Sequence, residues 1–82
     1  MPMVKFYARL RQITKTKETE VPGDTVEELV DNLRSIYGER FVLYLDRGTV
    51  LVNEKNVKRL EGEKTRLEPG DVVSIYPPMG GG

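Results

Sequence analysis

Polar and apolar positions alternate at the start of the chain. In Val4-Lys5-Phe6-Tyr7-Ala8-Arg9-Leu10, Val4, Phe6, Ala8 and Leu10 fall on one face and Lys5, Tyr7 and Arg9 on the other, which predicts a half-buried strand. Lys15 to Val21 keeps the period of two but holds little apolar surface, as an antiparallel partner near a sheet edge would. Pro22-Gly23 ends it, and the spacing then changes. Val26, Leu29, Val30, Leu33, Ile36 and Tyr37 recur at helical intervals, so one stripe of a helix over Thr25 to Tyr37 faces a core. That helix begins at Asp24 or Thr25: a threonine cap bonds the amide three residues on while Glu28 reaches back to the cap amide, and Gly38 supplies the stop.

Two apolar runs follow, Phe41 to Leu45 and Val50 to Val52, parted by Asp46-Arg47-Gly48-Thr49, where Asp and Gly favour a turn. The second run reads as a strand; whether the first is one stays open. Asn53 to Asn56 is a polar turn, and Val57 to Leu67 mixes charge with isolated apolar residues as a surface connection does. Glu68-Pro69-Gly70-Asp71 is a tight turn, proline setting φ and glycine accepting a positive one. Val72 to Tyr76 makes the last strand, stopped by Pro77 and Pro78, neither of which has an N–H to give to a ladder. The succession predicts an α+β fold, a small mixed sheet crossed by one main helix, and the ubiquitin-like β-grasp satisfies it. Residues 1–76 would form this domain and residues 77–82 an extended, flexible carboxyl-terminal tail.

Composition narrows the chemistry more than the fold. A chain of 82 residues builds one modest core. Thirteen basic residues balance thirteen acidic ones, and the balance holds locally, seven against seven through Phe41 and six against six beyond it, so no basic face for nucleic acid is expected. The chain has no cysteine and no histidine, which excludes a thiol nucleophile, a disulfide, a serine-histidine triad and nearly every catalytic zinc site; no metal is expected. The longest apolar stretch, Phe41 to Leu45, falls far short of the ~20 residues that span a bilayer. Met1 to Lys5 shows no secretory pattern, and the expectation is a cytoplasmic protein without a membrane partner. The paired carboxylates Glu27-Glu28 are accounted for by the first turn of the helix, where the macrodipole favours negative charge.

One feature remains, the ending Pro77-Pro78-Met79-Gly80-Gly81-Gly82. Fully extended, six residues reach roughly 20 Å. The two prolines favour an extended path, and beyond Met79 there is no side chain, so the terminus fits channels too narrow for a Cβ. A stiff base with a slender tip suits delivery of a terminal carboxylate into another protein's active site. That carboxylate, with a pKa near ~3.5, is ionised and a poor electrophile at neutral pH, so it must be activated elsewhere.

From Leu67 to Gly82 the chain resembles the closing signature of the MoaD family, the small sulfur-carrier subunit of molybdopterin synthase. There Gly-Asp opens the last strand, an apolar or aromatic residue precedes Pro-Pro, and the chain stops at Gly-Gly. Phe6-Tyr7-Ala8-Arg9-Leu10-Arg11 looks like the family's first strand, Thr25-Val26-Glu27-Glu28-Leu29 like its helix start, and Val52-Asn53 like the end of its third strand. Gly80 stands where the family varies, which places the functional pair on Gly81 and Gly82.

The resemblance implies a carrier, not an enzyme with its own active site. It binds no cofactor; ATP is used by a ubiquitin-activating-type, MoeB-like adenylating enzyme, and a sulfur donor then converts the acyl-adenylate of Gly82 into a thiocarboxylate. The resemblance further implies that Gly80 and Gly81 thread a tunnel in a MoaE-like large subunit, where the sulfur builds the dithiolene of a molybdenum or tungsten cofactor. Pro77 and Pro78 would orient the tail, and Tyr76, Met79, Tyr7 and Arg11 would meet the partner. Two alternatives share the adenylate step: a ubiquitin-like modifier joined to lysines through Gly82, and a ThiS-like carrier for the thiamin thiazole.

Overall fold

The structure, a computed structural model, describes residues 1–78. Its elements run β1 (Met3–Phe6), α1 (Arg9–Thr14), β2 (Glu18–Glu20), α2 (Val26–Tyr37), α3 (Glu39–Arg47), β3 (Thr49–Val52), β4 (Lys55–Asn56) and β5 (Val72–Tyr76), with two short 3-10 turns between β4 and β5. The five strands form one mixed sheet in the order β2-β1-β5-β3-β4. β1 and β5 are the parallel pair at its centre, in the register Met3↔Val72 to Phe6↔Ile75. β3 lies antiparallel to β5 on the other side, from Thr49↔Tyr76 to Val52↔Val73.

Every second residue of the central strands enters the core. Val4, Phe6, Val73 and Ile75 are fully buried with Leu29 and Leu33 of α2. The α2 start is built as its sequence implies, with one change: the Glu28 amide donates to Thr25 Oγ1 at 3.2 Å, but Glu28 Oε1 accepts from the Asp24 amide at 3.1 Å, one residue before the cap. Gly38 closes α2 at φ 93°, a left-handed conformation that glycine adopts without cost.

Two local readings change, and the one left open is decided. The alternation of Val4 to Leu10 does not continue as a strand: the ladder ends with the Tyr7 amide on the Ile75 carbonyl, Ala8 turns the chain at φ 53°, and α1 begins. Leu10 is buried, but from a helix, and Ala8 is exposed. The strand expected over Lys15 to Val21 contracts to Glu18–Glu20, because α1 and its left-handed cap at Lys15 take up the preceding residues. Phe41 to Leu45 is not a strand but the middle of α3, with Phe41, Val42 and Leu45 buried and Leu43 63% exposed. A strand would have put Leu43 on the same face as Phe41 and Leu45; helical spacing turns it to solvent. Phe41 meets Phe6 edge-on at 5.7 Å and Tyr37 at 5.3 Å, so α3 closes the core over the end of β1.

The turns around β4 and β5 are tight. Asn53 and Glu54, at φ 50° and 70°, form the two-residue hairpin between β3 and β4. Gly70 at φ 121° completes the Pro69-Gly70 turn, closed by the Asp71 amide on the Glu68 carbonyl. The connection from Val57 to Leu67 is partly an inner layer, with Thr65 and Leu67 buried and a bridge from Arg66 to Thr25.

Candidate functional site

β5 delivers the chain to the prolines at one end of the sheet, and its two neighbours decide what surrounds that exit. The parallel partner β1 ends there at Phe6 and is followed by Tyr7, and the antiparallel partner β3 begins there with Thr49, preceded by Gly48. Tyr7 and Tyr76 both point to the face away from α2, because Phe6 and Ile75, one residue earlier in each strand, point into the core. The two rings stack at 4.4 Å with 10° between their planes. The Arg11 guanidinium lies 5.5 Å from the centre of the Tyr7 ring, and its Nε donates to the Phe6 carbonyl at 2.9 Å. α1 thus carries Arg11 back over the strand that precedes it. Pro77 is half-buried beside this stack, and Pro78 is exposed.

Three of the residues singled out in the sequence, Tyr7, Arg11 and Tyr76, therefore form one stack at the base of the tail. Met79, Gly80, Gly81 and Gly82 lie outside the described residues. Partial burial raises the Tyr76 phenol above its ordinary pKa, with Tyr7 adding through its charge and hydroxyl and Glu54 through its carboxylate. Tyr76 is then neutral at physiological pH and keeps a hydroxyl to donate.

The same alternation extends the face beyond the stack. Met3 and Lys5 of β1, Val72 and Ser74 of β5 and Leu51 of β3 share it with the two tyrosines, all partly exposed except Ser74. Across β1, Lys5 stands opposite Glu18 and Met3 opposite Glu20. The face has an apolar and aromatic centre with a charged edge. Met3, Leu51 and Val72 were not anticipated as part of it. The signal for them was the alternation of β1, β3 and β5, which becomes a shared face only when the strand order is known.

Acid–base or metal chemistry has little to build on in the domain. Among the described residues no cluster of three or more acidic side chains is placed to hold a metal. A groove of about 250 Å³ is lined by Val26, Val30, Leu45 and Val57 with Asp46, Lys58 and Glu63 at its edges. Tyr37 is raised by burial, within the aromatic core. No helix among the described residues is long and apolar enough to cross a membrane. What stands out is the exit of β5, where the strand ends at Pro77 beside an outward-facing aromatic pair.

Known proteins resemble the chain over almost its whole length. The profile of the ThiS family matches residues 4–82. The small archaeal modifier protein 3 of Haloferax volcanii is 32% identical over 88 residues, covering 96% of each chain. The molybdopterin synthase sulfur carrier subunit of Escherichia coli is 33% identical over 84 residues, covering all of both chains. Among solved structures, the small archaeal modifier protein 1 of Methanosarcina acetivorans superposes with a TM-score of 0.87 at 27% identity, covering 98% of this chain and 94% of its own.

Proposed function

The chain belongs to the ThiS family, whose members of the MoaD type share its ubiquitin-like β-grasp, and from that membership we propose that it is the small sulfur-carrier subunit of a molybdopterin synthase. The observation that carries the reading is the end-to-end match with a sulfur carrier subunit, which includes the glycine terminus. The chain holds no active site of its own. Its Gly82 carboxylate attacks the α-phosphorus of ATP on an adenylating enzyme, releasing pyrophosphate and leaving an acyl-adenylate. A sulfur donor then displaces AMP, and the product is a thiocarboxylate. In the large subunit the sulfur bonds to a pterin precursor, water attacks the Gly82 carbonyl carbon as its bond to sulfur breaks, and the carrier ends as a carboxylate again.

The domain's part is presentation. The stacked Tyr7 and Tyr76 and the adjoining open face dock the partner, Arg11 offers its charge at the same place, and Pro77 and Pro78 lead the tail away from the sheet. Met79 extends the contact and Gly80 and Gly81 pass the narrow part of the channel. Residues 1–76 work as the body and 77–82 as the delivered segment, in the cytoplasm, where ATP and the adenylating enzyme are found.

The test is intact-mass analysis of the chain after incubation with ATP, a ubiquitin-activating-type adenylating enzyme and a sulfur donor. Replacement of one terminal oxygen by sulfur is the expected result. An unchanged mass, with a bona fide carrier converted in parallel, would sink the proposal. The 32% identity with an archaeal modifier favours a second reading, conjugation of Gly82 to lysines of other proteins. In material purified from the native host, it predicts isopeptide-linked species in place of a free thiocarboxylate pool.

A further inference from the structure

We infer that Gly48 is a positioning residue that sets the direction in which the tail leaves the domain. Its backbone, at φ −97° and ψ −156°, is open to any residue, so glycine is not required there by conformation. It is required by space. A Cβ at this position would overlap the carbonyl oxygen of Tyr76 outright and would stand 3.1 Å from the carbonyl carbon of Tyr76 and 3.0 Å from the Tyr44 carbonyl oxygen. All three are backbone atoms, which no rotamer change can move aside.

The crowded oxygen belongs to the peptide joining Tyr76 to Pro77, the first link of the tail. Something must give if a side chain is added, and the two sides of the contact are not equally held. On the α3 side, Phe41, Val42 and Leu45 are buried, and the Gly48 amide donates to the Leu45 carbonyl at 3.1 Å. On the other side Tyr76 is held by its pairing with Thr49 and its stack on Tyr7, but the peptide beyond it runs into half-buried Pro77 and exposed Pro78, and a proline has no N–H with which to rejoin the ladder. The Tyr76–Pro77 peptide therefore turns. A turn of this peptide changes the direction in which the six residues that follow, about 20 Å at full extension, set out from the domain. Misplacement of a reacting group by about 1 Å can cost on the order of a hundredfold in rate.

This inference rests on the carrier reading for its kinetic consequence but not for its geometric one, and the experiment keeps the two apart. Full-length Gly48→Ala is compared with the parent and with Gly23→Ala. The latter forces a Cβ against the Leu29 backbone at 2.8 Å, beside Pro2 and Leu67 at the opposite end of the sheet. All three carry Glu54→Gly, which relieves the positive φ at Glu54 and so offsets part of the cost of the crowding. Because the chain has no cysteine, Gly82→Cys in each takes a single nitroxide, and the broadening it causes in the domain amides maps where the terminus travels. A changed broadening map in Gly48→Ala, with the Gly23→Ala map superposing on the parent's, is expected. Superposable maps for all three overturn the inference, whatever the protein's function.

In the forms that retain Gly82, pyrophosphate exchange on the adenylating enzyme is expected to show kcat reduced tenfold or more in Gly48→Ala with KM within threefold. Both constants should stay within threefold of the parent in Gly23→Ala. Equal kcat losses in the two variants would reduce Gly48 to a stability residue and overturn the inference. A parent that is never adenylated defeats the carrier reading, while the label map still decides on Gly48.

Discussion

The two ends of β5 are built from opposite materials. Where the strand begins, polar groups are spent on one another: Asn53 Nδ2 donates to Asp71 Oδ1 at 2.9 Å, the Val72 backbone amide to Asn53 Oδ1 at 3.0 Å, and the Glu68 backbone amide to Asp71 Oδ2 at 2.8 Å. Where it finishes, the tyrosine pair and Arg11 face outward, and the chain runs on into two prolines. One end closes the fold upon itself and the other leaves groups to be met by something else. A single strand can hold both because its hydrogen-bonded neighbours, β1 and β3, fix it along its length, so neither end has to stabilise the other.

Changes at the finish should therefore cost function with little stability, and changes at the start the reverse. Deletion of Gly82 is the extreme case. Thiocarboxylate formation, read by intact mass, is expected to vanish while the urea unfolding curve overlays that of the parent; retained conversion would remove the terminus from the chemistry. Next in size is Tyr76→Ala, expected to weaken binding of a MoaE-like large subunit by about 2 kcal/mol, as truncation of an interface aromatic does. Tyr76→Phe, which keeps the stack on Tyr7, should recover most of that loss in isothermal titration. Equal losses in both variants would shift the weight from the ring to the hydroxyl.

At the start of the strand, Asn53→Ala removes two side-chain hydrogen bonds and puts alanine at φ 50°. A loss of about 1 to 2 kcal/mol in unfolding free energy is expected, with KM for adenylation unchanged while the protein is folded. A raised KM would mean that the two ends communicate and that the comparison is drawn too sharply.

Much of this division was visible in the sequence, and the failures have physical causes. Thr25, Glu28 and Gly38 announced α2 because caps are local, and Pro69-Gly70 announced its turn for the same reason. Phe41 to Leu45 did not declare itself, since five successive apolar residues fit a buried strand or a buried helix equally. Only Glu39 before the run and Arg47 after it, the charges that suit the two ends of a helix dipole, pointed to α3. Ala8 at φ 53° gave no warning at all, because alanine rarely adopts that conformation and is held there by α1 packing Leu10 into the core. As for the site, Tyr7, Arg11 and Tyr76 were named from their neighbourhood in sequence, but their stacking needed the parallel pairing of β1 with β5. Gly48 read as a turn former, and nothing local revealed the Tyr76 carbonyl against it.

The smallest effect expected is a pH dependence confined to the start of the strand. The Glu68 amide and then the Asn53 side chain hold the Asp71 carboxyl below the ordinary aspartate range, and its slight burial opposes them only weakly. A carboxyl whose pKa is lower in the folded than in the unfolded chain binds fewer protons when folded at intermediate pH, so acid favours unfolding. Its contribution is complete above the unfolded value of about 4 and is lost as pH falls through the lower folded value. Unfolding free energies measured from neutral pH down into that range should decline more steeply for the parent than for Asp71→Asn, whose side chain does not titrate. The other carboxylates are common to both proteins and cancel in the difference. Parallel declines would show that the hydrogen bonds at this end do not distinguish the charged from the neutral acid, and would remove the electrostatic part of the contrast between the two ends of β5.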